Sequence, residues 1–195
     1  MLQLILDVET KQTFDQVGGY FPEKLGISYV GTCVRENFHQ KGEMKGYFEH
    51  ELDQLFRLLE RVDLVVGFNI IGFDLPALSS YAPGLKMQEL PTLDLMARIK
   101  DSVGHRIGLD AVATDTLGVG KTGDGLDAIK YYQNKEFDKL SAYCLHDVEV
   151  TRDVLDYGHS KGLIKFRNKW NRLIECPVDF TTLPQRDLGT QMSLI

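Results

Sequence analysis

A chain of 195 residues, 43% hydrophobic and 26% charged, has the length for one α/β domain with a substantial core and the composition of an ordinary soluble globule. The formal net charge of -6 runs against phosphate-dominated binding, yet bound divalent cations reverse the local field of carboxylates gathered around them, so the global charge neither proves nor excludes a phosphate-bearing partner. No run approaches roughly 18 apolar residues, and MLQLILDVET lacks the basic prelude and length of a secretory leader, so neither a membrane span nor a signal segment is expected.

One domain over 1–195 is expected. Cys33, Cys144 and Cys176 are odd in number and set in apolar sequence. They read as buried thiols of a cytoplasmic protein rather than as a disulfide framework or a zinc site.

Residues 2–8 predict a strand with Leu2, Leu4, Leu6 and Val8 on one face and Ile5 and Asp7, continued by Glu9, on the other. Thr10 to Leu25, with Gly18, Gly19 and Pro22, reads as a loop. Ile27–Arg35 and Lys45–Phe48 are the next strands, and their short connections imply an antiparallel meander. His50–Arg61 carries Leu52, Leu55, Phe56 and Leu59 at helical spacing, so the apolar strand Leu64–Phe68 returns parallel to its partner.

Asp74 is placed as the cap of a short helix through Ser80 that has Pro76 in its first turn. Pro91–Leu95 predicts a fifth strand, with a helical turn at Leu95–Ile99 after it. The helix Leu109–Leu117 leads into GVGKTGDG, where Lys121 stands in a flexible setting suited to meeting a phosphate. A nucleotide-binding loop is disfavoured there, because Asp115 occupies the place of the motif's first glycine and no buried strand leads in.

Lys139–Gly158 is the longest predicted helix. The basic stretch Lys161–Arg172, with Lys165, Arg167, Lys169 and Trp170, reads either as a solvated helix face or as a strand-binding surface. No internal repeat is present.

Asp7 and Glu9, two apart on a strand, project from one side roughly 7 Å apart at Cα. No lysine or arginine shares that face, and two unpaired carboxylates on a central strand are destabilising unless a cation joins them or Glu9 sits at an edge. Asp74 arrives from the turn after another strand, where ligands collect in α/β folds, although a plain cap is the alternative. Asn69, in NIIGFD, either holds that turn or reaches substrate.

The long helix carries the sharpest signal. At about 100° per residue, an arc of about 160° gathers Leu140, Tyr143, Cys144, Asp147, Val148, Val150, Thr151, Val154 and Leu155. Asp147 is its sole charge. Lys139, His146, Glu149, Arg152, Asp153 and Asp156 fall on the opposite, solvent side.

An ionised aspartate within an apolar stripe costs several kcal/mol unless a buried arginine or a metal meets it. Tyr143, one turn earlier and about 6 Å away at Cβ, can orient a water. Four acids from separate segments suit magnesium or manganese. Two such ions about 4 Å apart would activate a water and stabilise the departing oxygen of a phosphodiester.

On LDVET with Asp7 and Glu9, NIIGFD with Asn69 and Asp74, and YCLHD with Tyr143 and Asp147, the chain resembles the tyrosine subclass of the DEDD exonuclease superfamily, within the ribonuclease H-like fold. HRIGLDAVATDTLGVGK is similar to the stretch before the third motif in proofreading domains of family B DNA polymerases. YCLHDVEVTRDV resembles the third motif of stand-alone or helicase-linked exonucleases. The histidine subclass needs a histidine at the position held by Ala142.

The resemblance implies an α/β fold with a mixed five-stranded sheet flanked by helices, and 3′–5′ removal of nucleotides from single-stranded DNA or RNA ends. It implies that Asp7 bridges two ions, that Glu9 and Asp147 support the ion that activates water, that Asp74 helps hold the other, and that Tyr143 positions the water. Thr10, Asn69 and Lys121 are the candidate substrate contacts. Polymerase and helicase motifs are absent, so unwinding would reside in a helicase or repair partner. The rival from another class is a non-catalytic nucleic-acid-binding module on the same fold, and an endonuclease is a third alternative.

Overall fold

The structure, a computed structural model, describes residues 1–119, 123 and 125–184. Its centre is strand β1 (Gln3–Thr10), whose alternation sends Leu4, Leu6 and Val8 to one core and Ile5 to another. β1 pairs antiparallel with β2 (Ile27–Arg35), which pairs antiparallel with β3 (Glu43–Phe48). On its other side β1 pairs in parallel with β4 (Leu64–Gly67), and β4 with β5 (Thr92–Asp94). The order β3-β2-β1-β4-β5 is the expected mixed five-stranded sheet.

Helix α1 (Leu52–Leu59) supplies the crossover between β3 and β4 and buries Leu52, Leu55 and Leu59. With α2 (Asp74–Ser79) it covers the face of Leu4, Leu6 and Val8. The opposite face is covered by α3 (Leu95–Val103), α4 (Leu109–Leu117) and α6 (Phe137–Lys161), with α5 (Gly125–Gln133) packed on α6. Gly162, at φ 66°, ends α6 in the left-handed conformation that an L side chain adopts only at a cost. Among the described residues no helix is long and apolar enough to cross a membrane.

Several expectations change. The basic stretch is not a helix: Leu163–Arg167 (β6) and Leu173–Pro177 (β7) form an antiparallel hairpin. Ile164, Phe166 and Cys176 alternate inward to the core, and Trp170 stands exposed in the turn. The turn expected at Leu95–Ile99 grows into the whole of α3, because Asp94 caps it by accepting from the Ala97 amide at 3.2 Å.

Asp74 is the first residue of α2 rather than its cap. Arg152, expected in solvent, is buried and donates to the Lys41 carbonyl while pairing with Glu149 and Asp153. α5 has no counterpart among the predicted elements.

Candidate active site

The register of the sheet begins the site. Asp7 lies opposite Gly31 and Glu9 opposite Tyr29, and both acids point to the face that α6 covers. A Cβ on Gly31 would stand 2.9 Å from Cys144 Sγ, 3.0 Å from Val148 Cγ2 and 3.2 Å from the Cys144 carbonyl oxygen. Only glycine lets the helix come this near. The Gly31 amide donates to Cys144 Sγ at 3.1 Å, and the thiol reaches the Asp7 carbonyl and carboxylate at 3.5 Å each.

Because α6 is seated on Cys144, the residues one before and three after it, Tyr143 and Asp147, are carried over the end of β1. Asp7, Glu9, Thr10, Tyr143 and Asp147 share the lining of one cleft of about 380 Å³. Its other wall is apolar: Phe14, Phe73, Leu126 and Ile129. Thr10 is buried and its hydroxyl donates to the Gln12 carbonyl at 3.1 Å, which shapes the loop beyond β1.

Asp74 sits behind the cleft rather than in its lining. It is buried, and its Oδ1 accepts from the Val8 amide at 2.9 Å, between the two acids of β1. The preceding turn is held by Asp94, whose carboxylate accepts from the amides of Asn69 at 3.0 Å and Ile71 at 3.1 Å. Asn69 has φ 67°, and its side-chain oxygen closes on Gly72. It therefore shapes the turn that delivers Asp74, and it does not line the cleft.

The electrostatics tie the four acids together. Burial raises Asp7 to about 7, Asp147 adds to the rise, and the Cys144 thiol opposes it. Burial also lifts Glu9 well above its ordinary value, helped by Asp7, Asp147 and Asp74. Asp74 is raised by burial and by Asp7, against the pull of backbone amides. Each acid disfavours ionisation of its neighbours, the signature of a cluster that wants a cation or a proton.

The buried arginines are engaged elsewhere. Arg35 makes a two-pronged ion pair with Asp156, with both bonds at 2.8 Å, and Arg152 serves Glu149 and Asp153. One ligand atom from each of Asp7, Glu9 and Cys144 falls within 4.8 Å of the other two. Burial and the Asp7 and Glu9 charges push the Cys144 thiol well up, so it stays protonated and helps to hold Asp7. The oxygens offer hard donors of the kind magnesium and manganese take.

A family model described as the RNase H superfamily matches residues 4–158. The chain belongs to that superfamily. Its α/β architecture, a mixed five-stranded sheet flanked by helices, is ribonuclease H-like. Among solved structures, this RNase H superfamily chain is similar to the family B DNA polymerase from the hyperthermophilic archaeon Pyrobaculum calidifontis, at 20% identity and a TM-score of 0.59.

That likeness covers 82% of this chain and 24% of the polymerase, so the chain spans about a quarter of the polymerase's length. No curated protein matches.

Of the site residues expected for this RNase H superfamily member, Asp7, Glu9, Thr10, Tyr143 and Asp147 meet in the cleft, and Asp74 lies against it. Lys121 falls outside the described residues. The sequence did not single out Cys144 as a contact of Asp7, nor Asp94, nor the apolar wall. Asp94 carried a usable signal, an acid at the start of a helical stretch. The contact of Cys144 depends on Gly31, more than a hundred residues away, and no local pattern announces it.

Proposed function

We propose that this chain is a metal-dependent 3′–5′ exonuclease of the DEDD tyrosine subclass, a single cytoplasmic domain that hydrolyses phosphodiester bonds at the ends of single-stranded DNA or RNA. One observation carries the reading: Asp7, Glu9 and Asp147 face one cleft with Asp74 behind it, and burial and neighbouring acids raise the pKa of Asp7, Glu9 and Asp74. A purely structural cluster would be a standing liability.

Asp7, Glu9, Asp74 and Asp147 would hold magnesium or manganese, two ions by the pattern of the resemblance. When bound, these supply Lewis acidity and neutralise charge at the phosphodiester. Tyr143 orients the attacking water from the same wall as Asp147. Phe14, Phe73, Leu126 and Ile129 give the terminal base an apolar berth, which excludes bulk water from the reacting phosphate.

Cys144 fixes the Asp7 carboxylate through its thiol. Thr10, from within the cleft, and Lys121 are proposed as substrate contacts, and Asn69 as the residue that shapes the turn delivering Asp74. A helicase or repair partner would present the single-stranded 3′ end.

The test is time-resolved cleavage of matched single strands of DNA and RNA, labelled at the 5′ end, with magnesium or manganese. A ladder shortening by single nucleotides is expected, together with an intact circular strand. Cutting of the circle would make the enzyme an endonuclease. Binding without shortening under either ion would point to the non-catalytic module instead.

A further inference from the structure

A second cavity, of about 320 Å³, is lined by Ser28, Phe48, Glu49, His50, Tyr132 and Phe137. Resting on the nucleic-acid reading above, we propose that it holds a nucleobase of the same strand, upstream of the 3′-terminal nucleotide. Three features carry this.

The first is position. Helix α5 is a wall common to both cavities: Leu126 and Ile129 face the cleft, and Tyr132, three residues on, faces the pocket. Three helical residues rise only about 4.5 Å. Lys11 makes a second link, because it follows Thr10 of the cleft, is bound to Glu49 of the pocket, and holds its Nζ 5.6 Å from the centre of the Tyr132 ring. Neighbouring nucleotides of one strand can therefore fill both cavities.

The second is the lining. Phe48 and Phe137 meet edge to face with centroids 5.6 Å apart, Tyr132 tilts against Phe137 at 6.3 Å, and His50 lies nearly parallel to Phe48. Phe137 is 41% exposed, large for an apolar ring at the start of a long helix. Aromatic faces of this kind take any base, because every base has a π-face. The charge of Glu49 is compensated by Lys11 and its carboxylate is also bonded to the Tyr81 hydroxyl. Such a site favours a flat neutral ring over a phosphate.

The third is Ser28. The register slips where Glu9 faces Tyr29 but Thr10 faces Ile27, which leaves Ser28 as the extra residue of a bulge. It is 1% exposed, and its Oγ has no hydrogen-bond partner among the described residues. A buried hydroxyl left in this state costs free energy. The donors and acceptors on the edge of a base would satisfy it.

The experiment uses a 5′-labelled, phosphorothioate-protected single strand whose bases are replaced one at a time by abasic sites, with binding followed by fluorescence anisotropy. For the wild type, one position upstream of the 3′ end is expected to lose roughly 5- to 100-fold in affinity when its base is removed. Phe137→Ala should bind the intact strand correspondingly less tightly and be indifferent to the abasic site at that position. Ser28→Ala, which deletes one hydroxyl without disturbing packing, should weaken the intact strand by a few fold.

The proposal is overturned if no upstream abasic site weakens wild-type binding, if Phe137→Ala remains as sensitive as the wild type, or if no strand binds at all. Base-dependent binding by a protein that shortens no strand would sink the exonuclease reading and leave this pocket standing. Shortening without a base-dependent position would do the reverse.

Discussion

Gly31 and Cys144 hold the long helix against the sheet at the strand position facing Asp7, with the Gly31 amide donating to Cys144 Sγ at 3.1 Å. The face of α6 that carries Tyr143 and Asp147 is thus set by a residue without a side chain. Gly31→Ala would place a carbon 2.9 Å from the sulfur and 3.2 Å from helix backbone. Overpacking of this kind costs about 1–3 kcal/mol. Urea denaturation should show that loss, and strand shortening should fall more steeply than stability, because Tyr143 and Asp147 move away from Asp7.

The acid cluster makes stability depend on pH with a definite sign. Asp7 has a folded pKa of about 7 against an unfolded value near 3.8, so across that window the folded state binds the extra proton. Its contribution to stability is greatest below the window and declines as pH rises toward 7, and Glu9 and Asp74 act in the same direction. Thermal unfolding in EDTA should therefore show the cluster's penalty growing from pH 5 to pH 8. Manganese should raise Tm more at pH 8 than at pH 5, because protons compete with the ion.

Neutralising one acid should stabilise the protein while disabling it. Asp7→Asn removes a charge that raises Glu9 and Asp74. In EDTA at pH 8 its Tm should exceed that of the wild type, and manganese should no longer shift it. Differential scanning calorimetry with and without the ion reads both effects.

Tyr143 separates packing from chemistry. Gly123 lies close to its ring, where a Cβ on that glycine would stand 3.0 Å from Tyr143 Cε2, and Tyr143→Phe keeps that ring. Strand shortening should fall on the order of 100-fold, as expected for loss of a group that orients the nucleophile, with manganese affinity unchanged. Full activity in the variant would remove the phenol from the mechanism.

Asp94 supports the site at one remove. Its carboxylate accepts from the amides of Asn69, Ile71 and Ala97. Asp94→Ala leaves these amides without their acceptor, at about 1–3 kcal/mol, and hydrogen exchange should rise across residues 69–74. Asp94→Asn, which retains one carbonyl oxygen, should fall between the two.

Legibility in the sequence followed the range of the forces involved. Ile27–Arg35 and Leu109–Leu117 end where they were expected to end, since local residues set both. The stripe on α6 located Asp147 because a charge among buried apolar side chains is visible in one helix. Yet Arg152, on the opposite arc, is buried by its reach to Lys41, a contact across the fold.

α5 is not legible in the sequence because it follows a glycine-rich stretch and buries only Ala128 and Ile129, too little for a clear period. In the hairpin of β6 and β7, Ile164 and Phe166 alternate with Lys165 and Arg167. That period of two marks a strand, but it is short and lies among basic residues that suit a solvated helix face equally well.

In the proposed mechanism the oxygens of Asp7, Glu9, Asp74 and Asp147 jointly bind divalent cations. Isothermal titration of manganese into the wild type and Asp7→Asn at pH 8 tests it most directly. Saturable binding by the wild type with proton release, lost in a folded Asp7→Asn, is the expected result. No saturable binding by the wild type, or equal binding by both proteins, would contradict it.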